Sequence, residues 1–96
     1  MSLLSFSLGT CVVTATANNA GVRPTPLLQR HWGGDWGDLD DEDREANEVA
    51  MREKDGRRLF SRYVGCGESG MEVVYVITDA PFSPETVTTV LLDSDY

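Results

Sequence analysis

The residues best suited to act chemically lie in one acidic stretch, residues 35–48. This stretch contains half of the sixteen acidic residues of the chain and a single arginine. The spacing from Asp38 to Glu42 resembles the start of a calcium-binding loop. However, the sixth position of that loop is Asp43 rather than glycine, and the twelfth is Val49 rather than glutamate. We therefore predict no metal site here.

The same carboxylates fit a different chemistry, which is contact with a basic protein surface. Acidic side chains at positions i, i+4 and i+7 of a helix stand about 5–6 Å apart, a scale close to phosphate separation on nucleic acid. Such a row could occupy a groove lined by lysine and arginine. Helix capping and solvation explain the same residues equally simply. The predicted partner-binding residues are Asp35, Asp38, Asp41, Glu42, Glu45 and Glu48.

The remaining candidates for chemistry are weak. The spacing of Gly65, Gly67 and Gly70 matches a dinucleotide-binding fingerprint, but a strand is predicted to follow, so we expect a hairpin loop. His31 is the only histidine and is expected to end a short helix as a cation matched to the helix dipole. Cys66 has no basic neighbour to activate it. We predict no catalytic residue and no cofactor, since an enzyme would need His31 near Cys66 or paired acids in a pocket.

Composition narrows the class of protein. Ninety-six residues predict a single acidic domain over 1–96, and the net charge of −8 argues against direct binding to nucleic acid or an anionic membrane. It favours basic partners. No apolar run could span a bilayer, and the first residues lack the pattern of a signal peptide. Cys11 and Cys66 show no metal-binding spacing, so we expect reduced thiols and a cytoplasmic location.

Two helices are predicted to position these residues. The main amphipathic helix covers residues 41–54, with Asp40 as its N-cap and Gly56 as its stop signal. A short second helix covers residues 26–31, with Thr25 as its N-cap. In the main helix we expect Met51 to be partly exposed and the buried stripe to be Leu39, Ala46, Val49 and Ala50.

Four strands are predicted from β-branched and aromatic runs separated by glycine or proline. They cover residues 11–16, 58–64, 71–78 and 86–92, and the third has the composition of a central strand. The predicted fold class is α+β, with an antiparallel sheet of about four strands and a helix across one face. We also expect Trp36, in its glycine-flanked loop, to fold back onto the core.

Several blocks of the chain resemble small bacterial proteins carried on mobile elements and usually described as plasmid-related. The most specific block runs from Gly34 to Leu39 as Gly-Asp-Trp-Gly-Asp-Leu. The other similar segments are 40–48, 58–63, 76–78, 88–92, Tyr96 and the Leu8-Gly9-x-x-Val12-Val13 stretch. The resemblance covers most of the chain and departs at residues 65–70 and 79–85. It implies no enzymatic activity and no catalytic residues.

The resemblance implies an accessory protein of plasmids, integrative elements or prophages. Small acidic proteins of such elements are often anti-CRISPR or anti-restriction inhibitors, which is an analogy between classes. The leading hypothesis is a non-enzymatic inhibitor that binds the basic nucleic-acid surface of a CRISPR or restriction complex. The alternative is a self-associating structural or regulatory module of plasmid maintenance that pairs through an exposed sheet edge such as residues 86–92. Either a monomer or a homodimer is compatible with the sequence.

Overall fold

The structure is a computed structural model that describes residues 8–54 and 56–96. Its elements in chain order are β1 (Thr10–Val13), α1 (Ala15–Asn19), α2 (Pro24–Trp32), α3 (Asp41–Glu53), β2 (Leu59–Cys66), β3 (Glu72–Asp79) and β4 (Val87–Leu92), followed by a short 3-10 helix (Asp93–Asp95). The predicted α+β class is confirmed. Within the described ranges, the helices are all too short or too polar to cross a bilayer.

The four strands form one sheet in the order β1-β4-β3-β2. The pairs β2–β3 and β3–β4 are antiparallel, and β3 is central as predicted. The pair β1–β4 is parallel, so the sheet is mixed rather than wholly antiparallel. A parallel pair requires a long connection, and the three helices between β1 and β2 belong to it. The prediction that β4 offers an exposed edge is wrong, because β4 lies between β1 and β3.

One face of the sheet carries the main core. Alternate residues of β2, β3 and β4 point to this face, among them Tyr63, Val74 and Val90. Residues of α1 and α2, including Ala17 and Leu27, pack against them. A second cluster joins α3 to the start of β2 and contains Trp36, Leu39, Ala50, Met51 and Leu59. The helices therefore cover one sheet face and the outer side of β2.

The first helix corrects the prediction of a strand over residues 11–16. The strand ends at Val13, because the Thr14 side chain accepts a hydrogen bond from the Ala17 backbone N–H and caps a helix of five residues. The second helix begins at Pro24 instead of residue 26. Proline suits the first helical position because its missing N–H has no partner to lose there.

Candidate partner-binding site

The acidic stretch begins with a loop fixed against the outer edge of β2. The backbone N–H of Asp38 donates to the carbonyl of Arg62 (2.6 Å), and the N–H of Arg62 donates to the carbonyl of Trp36 (3.1 Å). Gly37 lies between them with φ +73°, and a Cβ at this position would overlap the Arg62 carbonyl oxygen. The Gly-Asp-Trp-Gly-Asp block therefore depends on a glycine that both turns the chain and lets two backbones approach closely.

The tryptophan of this loop is a core residue, which confirms that prediction. Trp36 is 3% exposed, and its indole N–H donates to the Glu48 carboxylate at 2.9 Å. Its ring packs edge-on against His31, with 5.5 Å between ring centroids. Because Glu48 belongs to α3, this hydrogen bond ties the loop to the helix that follows it.

Asp35 differs from the other predicted partner-binding residues, because its charge is already paired. The Arg30 guanidinium lies 2.7 Å from its carboxylate, and this hydrogen bond lowers the pKa of the Asp35 carboxyl. The same guanidinium lies over the ring of Tyr63, whose hydroxyl donates to the Asp35 carbonyl at 2.6 Å. Asp35 therefore holds the start of the loop in place, and its contact with a partner stays a prediction.

Helix α3 begins at the predicted N-cap. The carboxylate of Asp40 accepts a hydrogen bond from the Asp43 backbone N–H at 2.9 Å. Burial and the nearby charges of Asp40 and Glu42 raise the pKa of the Asp43 carboxyl. The helix ends at Glu53, followed by Lys54 in a left-handed conformation, two residues before the predicted glycine stop. Crowded carboxylates at a helix N-terminus are favoured by the dipole and repel one another.

The buried stripe of α3 differs from the prediction. Asn47, Ala50 and Met51 are buried, whereas Ala46 is exposed and Val49 is half-buried. The prediction was wrong at Ala46 and Met51, because it oriented the core face from Ala46 and Val49 and did not count the inward-facing amide of Asn47. The solvent-facing side was assigned correctly, and it exposes Asp41, Glu42, Glu45 and Glu48, while Asp38 is exposed in the loop.

Asn47 faces inward because its amide serves as a backbone substitute. Its Nδ2 donates to the Phe60 carbonyl (2.7 Å), and its Oδ1 accepts from the Phe60 N–H (3.2 Å). These are the two hydrogen bonds that a neighbouring strand would make with Phe60. Together with the loop at Gly37, Asn47 satisfies the outward backbone groups of β2 at Phe60 and Arg62 and fixes the orientation of α3. The sequence signal for this inward position is that Asn47 lies three residues before Ala50 and four before Met51, so all three share one face of the helix.

Few cations neutralise the acidic stretch. Arg44 is the arginine within it, and it donates to the carbonyls of Leu39 (3.0 Å) and Gly37 (2.7 Å) rather than to a carboxylate. Across residues 8–54 and 56–96, the ion pairs are Arg30–Asp35 and Arg58–Asp79. The carboxylates of the predicted set other than Asp35 are therefore exposed and free of an ion-pair partner on the described part of the chain.

His31 does not act as a cation at the end of a helix. It is fully buried, with Nδ1 2.5 Å from the Ser61 hydroxyl and Nε2 2.9 Å from the Thr78 hydroxyl. Burial lowers the pKa of His31 to about 4, so the ring is neutral at pH 7. Thr78 in turn contacts Thr88 (2.8 Å), which completes a polar chain inside the core. A serine–histidine pair without solvent access cannot meet a substrate, so this contact is structural.

The structure also shows where the glycine motif and the two cysteines lie. Gly65, Gly67 and Gly70 lie where β2 turns into β3, so the strand–helix geometry of a dinucleotide site does not form. Cys11 and Cys66 are free thiols, and burial raises the pKa of Cys66. Over the residues that the structure describes, no three histidine, cysteine or acidic side chains come together in a way that could hold a metal ion.

Comparison with known proteins finds no matching family model, no matching curated protein and no matching solved structure. We define the acidic face as the exposed carboxylates of Asp38, Asp41, Glu42, Glu45 and Glu48.

Proposed function

We propose that this protein is a non-enzymatic binding module whose acidic face occupies a basic, nucleic-acid-binding surface of another protein. By the resemblance to plasmid-related proteins, the partner is a CRISPR or restriction complex of the bacterial host, and the module inhibits it. Asp35 supports the acidic face by fixing the loop that leads into it.

The observation that carries the proposal is a row of exposed carboxylates on a rigid support. Asp41, Glu45 and Glu48 share the outer side of α3, and the helix rises about 1.5 Å per residue, so the row is roughly 10 Å long. Asn47 and Trp36 fasten that helix to the sheet and the loop. Pre-ordered charges lose little conformational entropy on binding, which favours them over a flexible acidic tail.

A module of this charge would keep DNA or RNA from binding the basic surface of its partner. The acidic face repels nucleic acid, so the module does not bind DNA or RNA. It competes with them because both would bind the same basic surface of the partner. Exposed charges act mainly on the association rate and are screened beyond about 8 Å at physiological salt. Binding should therefore weaken steeply as the salt concentration rises.

The experiment is affinity capture from a host lysate, followed by competition with nucleic acid. The test variant carries Asp41→Asn, Glu42→Gln and Glu45→Gln, and it leaves Glu48 to hold the Trp36 indole. A matched control, Glu68→Gln with Glu85→Gln and Asp93→Asn, removes the same number of exposed carboxylates from other surfaces. Both variants are first compared with the wild type by circular dichroism.

Each outcome bears on the proposal. The wild type and the control should capture the same basic protein and displace DNA from it, and the test variant should lose about ten-fold or more in affinity, or roughly 1.4 kcal/mol. If the test variant and the control bind equally well, the acidic face is not the contact. If the captured protein keeps its nucleic acid when bound, competition for that surface is wrong.

A further inference from the structure

Among the residues that the structure describes, the outer side of β1 is an open edge of the sheet. The N–H of Thr10 donates to the carbonyl of Thr86 (3.1 Å), and the N–H of Thr14 donates to the carbonyl of Val90 (3.0 Å). In a parallel pair, alternate residues face the neighbouring strand. Even-numbered residues therefore face β4, and the N–H and C=O groups of Cys11 and Val13 point away from the sheet, without a partner on the described part of the chain.

The two edges of this sheet differ in whether their outward backbone groups have hydrogen-bond partners. The outer edge of β2 is occupied at Phe60 by the Asn47 amide and at Arg62 by the loop at Gly37. Edge strands that stay single usually carry charged side chains, proline or a covering element. β1 contains neither a charged side chain nor a proline, and no charged residue occurs before Arg23. An uncharged edge in a chain of net charge −8 is what a strand-pairing surface requires.

We propose that β1 pairs in antiparallel fashion with β1 of a second copy of this chain, with the two-fold axis at Val12. In this register Cys11 of each copy lies opposite Val13 of the other. All of the outward N–H and C=O groups of both residues are then used, giving about four backbone hydrogen bonds across the axis. Pairing centred on Cys11 or on Val13 would leave some of these groups unused.

Val12 fits the position on the axis. It is the partner of Thr89 in the sheet, so it points to the face opposite the helices, and it is 43% exposed. Two Val12 residues would form a non-hydrogen-bonded pair with Cα atoms about 4.5 Å apart, the closest arrangement in an antiparallel sheet. Each would cover apolar surface of the other. A β-branched pair is among the favourable cross-strand combinations.

The distribution of charge suits a second copy rather than a basic partner at this edge. Pairing doubles the four-stranded sheet and places the β2 strands at opposite ends, about 34 Å apart at roughly 4.8 Å per strand. The acidic faces lie beyond those strands, so their repulsion is largely screened at a Debye length of about 8 Å. Asp95 is the acidic group held at the end of β1, where Thr14 and Thr16 donate hydroxyl hydrogen bonds to it.

Cysteine cross-linking tests this register directly. In a Cys11→Ser background, Val12→Cys places two thiols at a Cα separation of about 4.5 Å, which a disulfide spans. Thr10→Cys is the matched control, because it lies on the same strand and face but its two copies would be about 14 Å apart. Mild oxidation should form a disulfide-linked dimer of the position 12 variant and leave the position 10 variant without a cross-link, as seen on a non-reducing gel. Equal cross-linking of both, or of neither, would overturn the proposal.

Sedimentation of the wild-type chain provides a second test that needs no cysteine variant. We expect the dimer fraction to rise with protein concentration, and Val12→Asp to weaken association about ten-fold or more because two like charges would face each other. Val64→Asp is the control, since Val64 is a comparably exposed valine on β2. A wild-type chain that stays monomeric up to about 1 mM, or an equal loss in both variants, would refute edge pairing.

Discussion

The buried histidine makes the stability of this protein depend on pH in a narrow window. His31 is fully buried between Ser61 and Thr78, and its pKa falls from 6.5 to about 4 on folding. The unfolded chain therefore binds more protons than the folded chain between these two values. Folding stability is fully present above pH 6.5 and is lost as the pH falls towards 4.

The size of this loss follows from the same two pKa values. Each pKa unit corresponds to about 1.4 kcal/mol, so the difference between 6.5 and about 4 amounts to about 3 kcal/mol. Domains of this kind are stable by about 5–15 kcal/mol, so the loss is a large share. Hydrogen bonds lower the pKa of the Asp35 and Asp95 carboxyls. The folding stability that these two charges contribute is therefore lost only when the pH falls below the ordinary carboxyl pKa. Burial and the neighbouring charges of Asp40 and Glu42 raise the pKa of the Asp43 carboxyl, so protonation of Asp43 favours the folded chain and acts in the opposite direction.

The assay is urea unfolding at several pH values for the wild type and for His31→Gln. The variant keeps hydrogen-bonding capacity but has no titration in this window, so its stability should change little between pH 6.5 and 4.5. At pH 7 it should be less stable than the wild type by about 1–3 kcal/mol, because it packs and pairs less well with the two hydroxyls. The difference between the two proteins should shrink as the pH falls. A wild-type stability that holds or rises on acidification, or an equal slope in both proteins, would refute the reasoning.

Three further predictions concern positions that the structure singles out. Gly37→Ala should cost about 3 kcal/mol or more, because its Cβ would overlap a β2 carbonyl and lie 2.7 Å from a tyrosine ring atom. Gly56→Ala, at a similar positive φ but with nothing within 4 Å, should cost about 1 kcal/mol, and equal losses in urea unfolding would show that the close approach is unimportant. Asn47→Leu should cost about 2–3 kcal/mol by leaving two backbone groups of β2 without partners, and a neutral result would contradict its role as a strand substitute. A thiol reagent should modify exposed Cys11 faster than Cys66, whose pKa is raised by burial, and unfolding should abolish the difference.

Much of the fold was predictable because its signals are local. The main helix carries an Asp40 cap and a dipole-matched first turn, and β3 is an uninterrupted β-branched run. The first helix was missed because Ala15–Asn19 has no apolar periodicity and depends on the Thr14 cap. The parallel pairing of β1 was not predictable, because register between distant segments is decided by tertiary packing.

The exposed charges of the candidate site and the burial of Trp36 were predictable from the sequence, but the polar residues that support the site were not. Exposure of Asp41, Glu45 and Glu48 follows from helical periodicity. The inward turn of Asn47 and the burial of His31 do not, because each depends on a partner in a distant strand. Polar residues that satisfy distant backbone or hydroxyl groups look like surface residues in a sequence.

The Asn47 amide has a consequence for the size of any assembly built on this sheet. A sheet with two open edges can add molecules without limit, as fibrils do, whereas an edge already satisfied by a side chain from the same molecule accepts no further strand. If β1 pairs with a second copy as proposed, growth stops at two copies, because the Asn47 amide and the loop at Gly37 already occupy the other edge at Phe60 and Arg62.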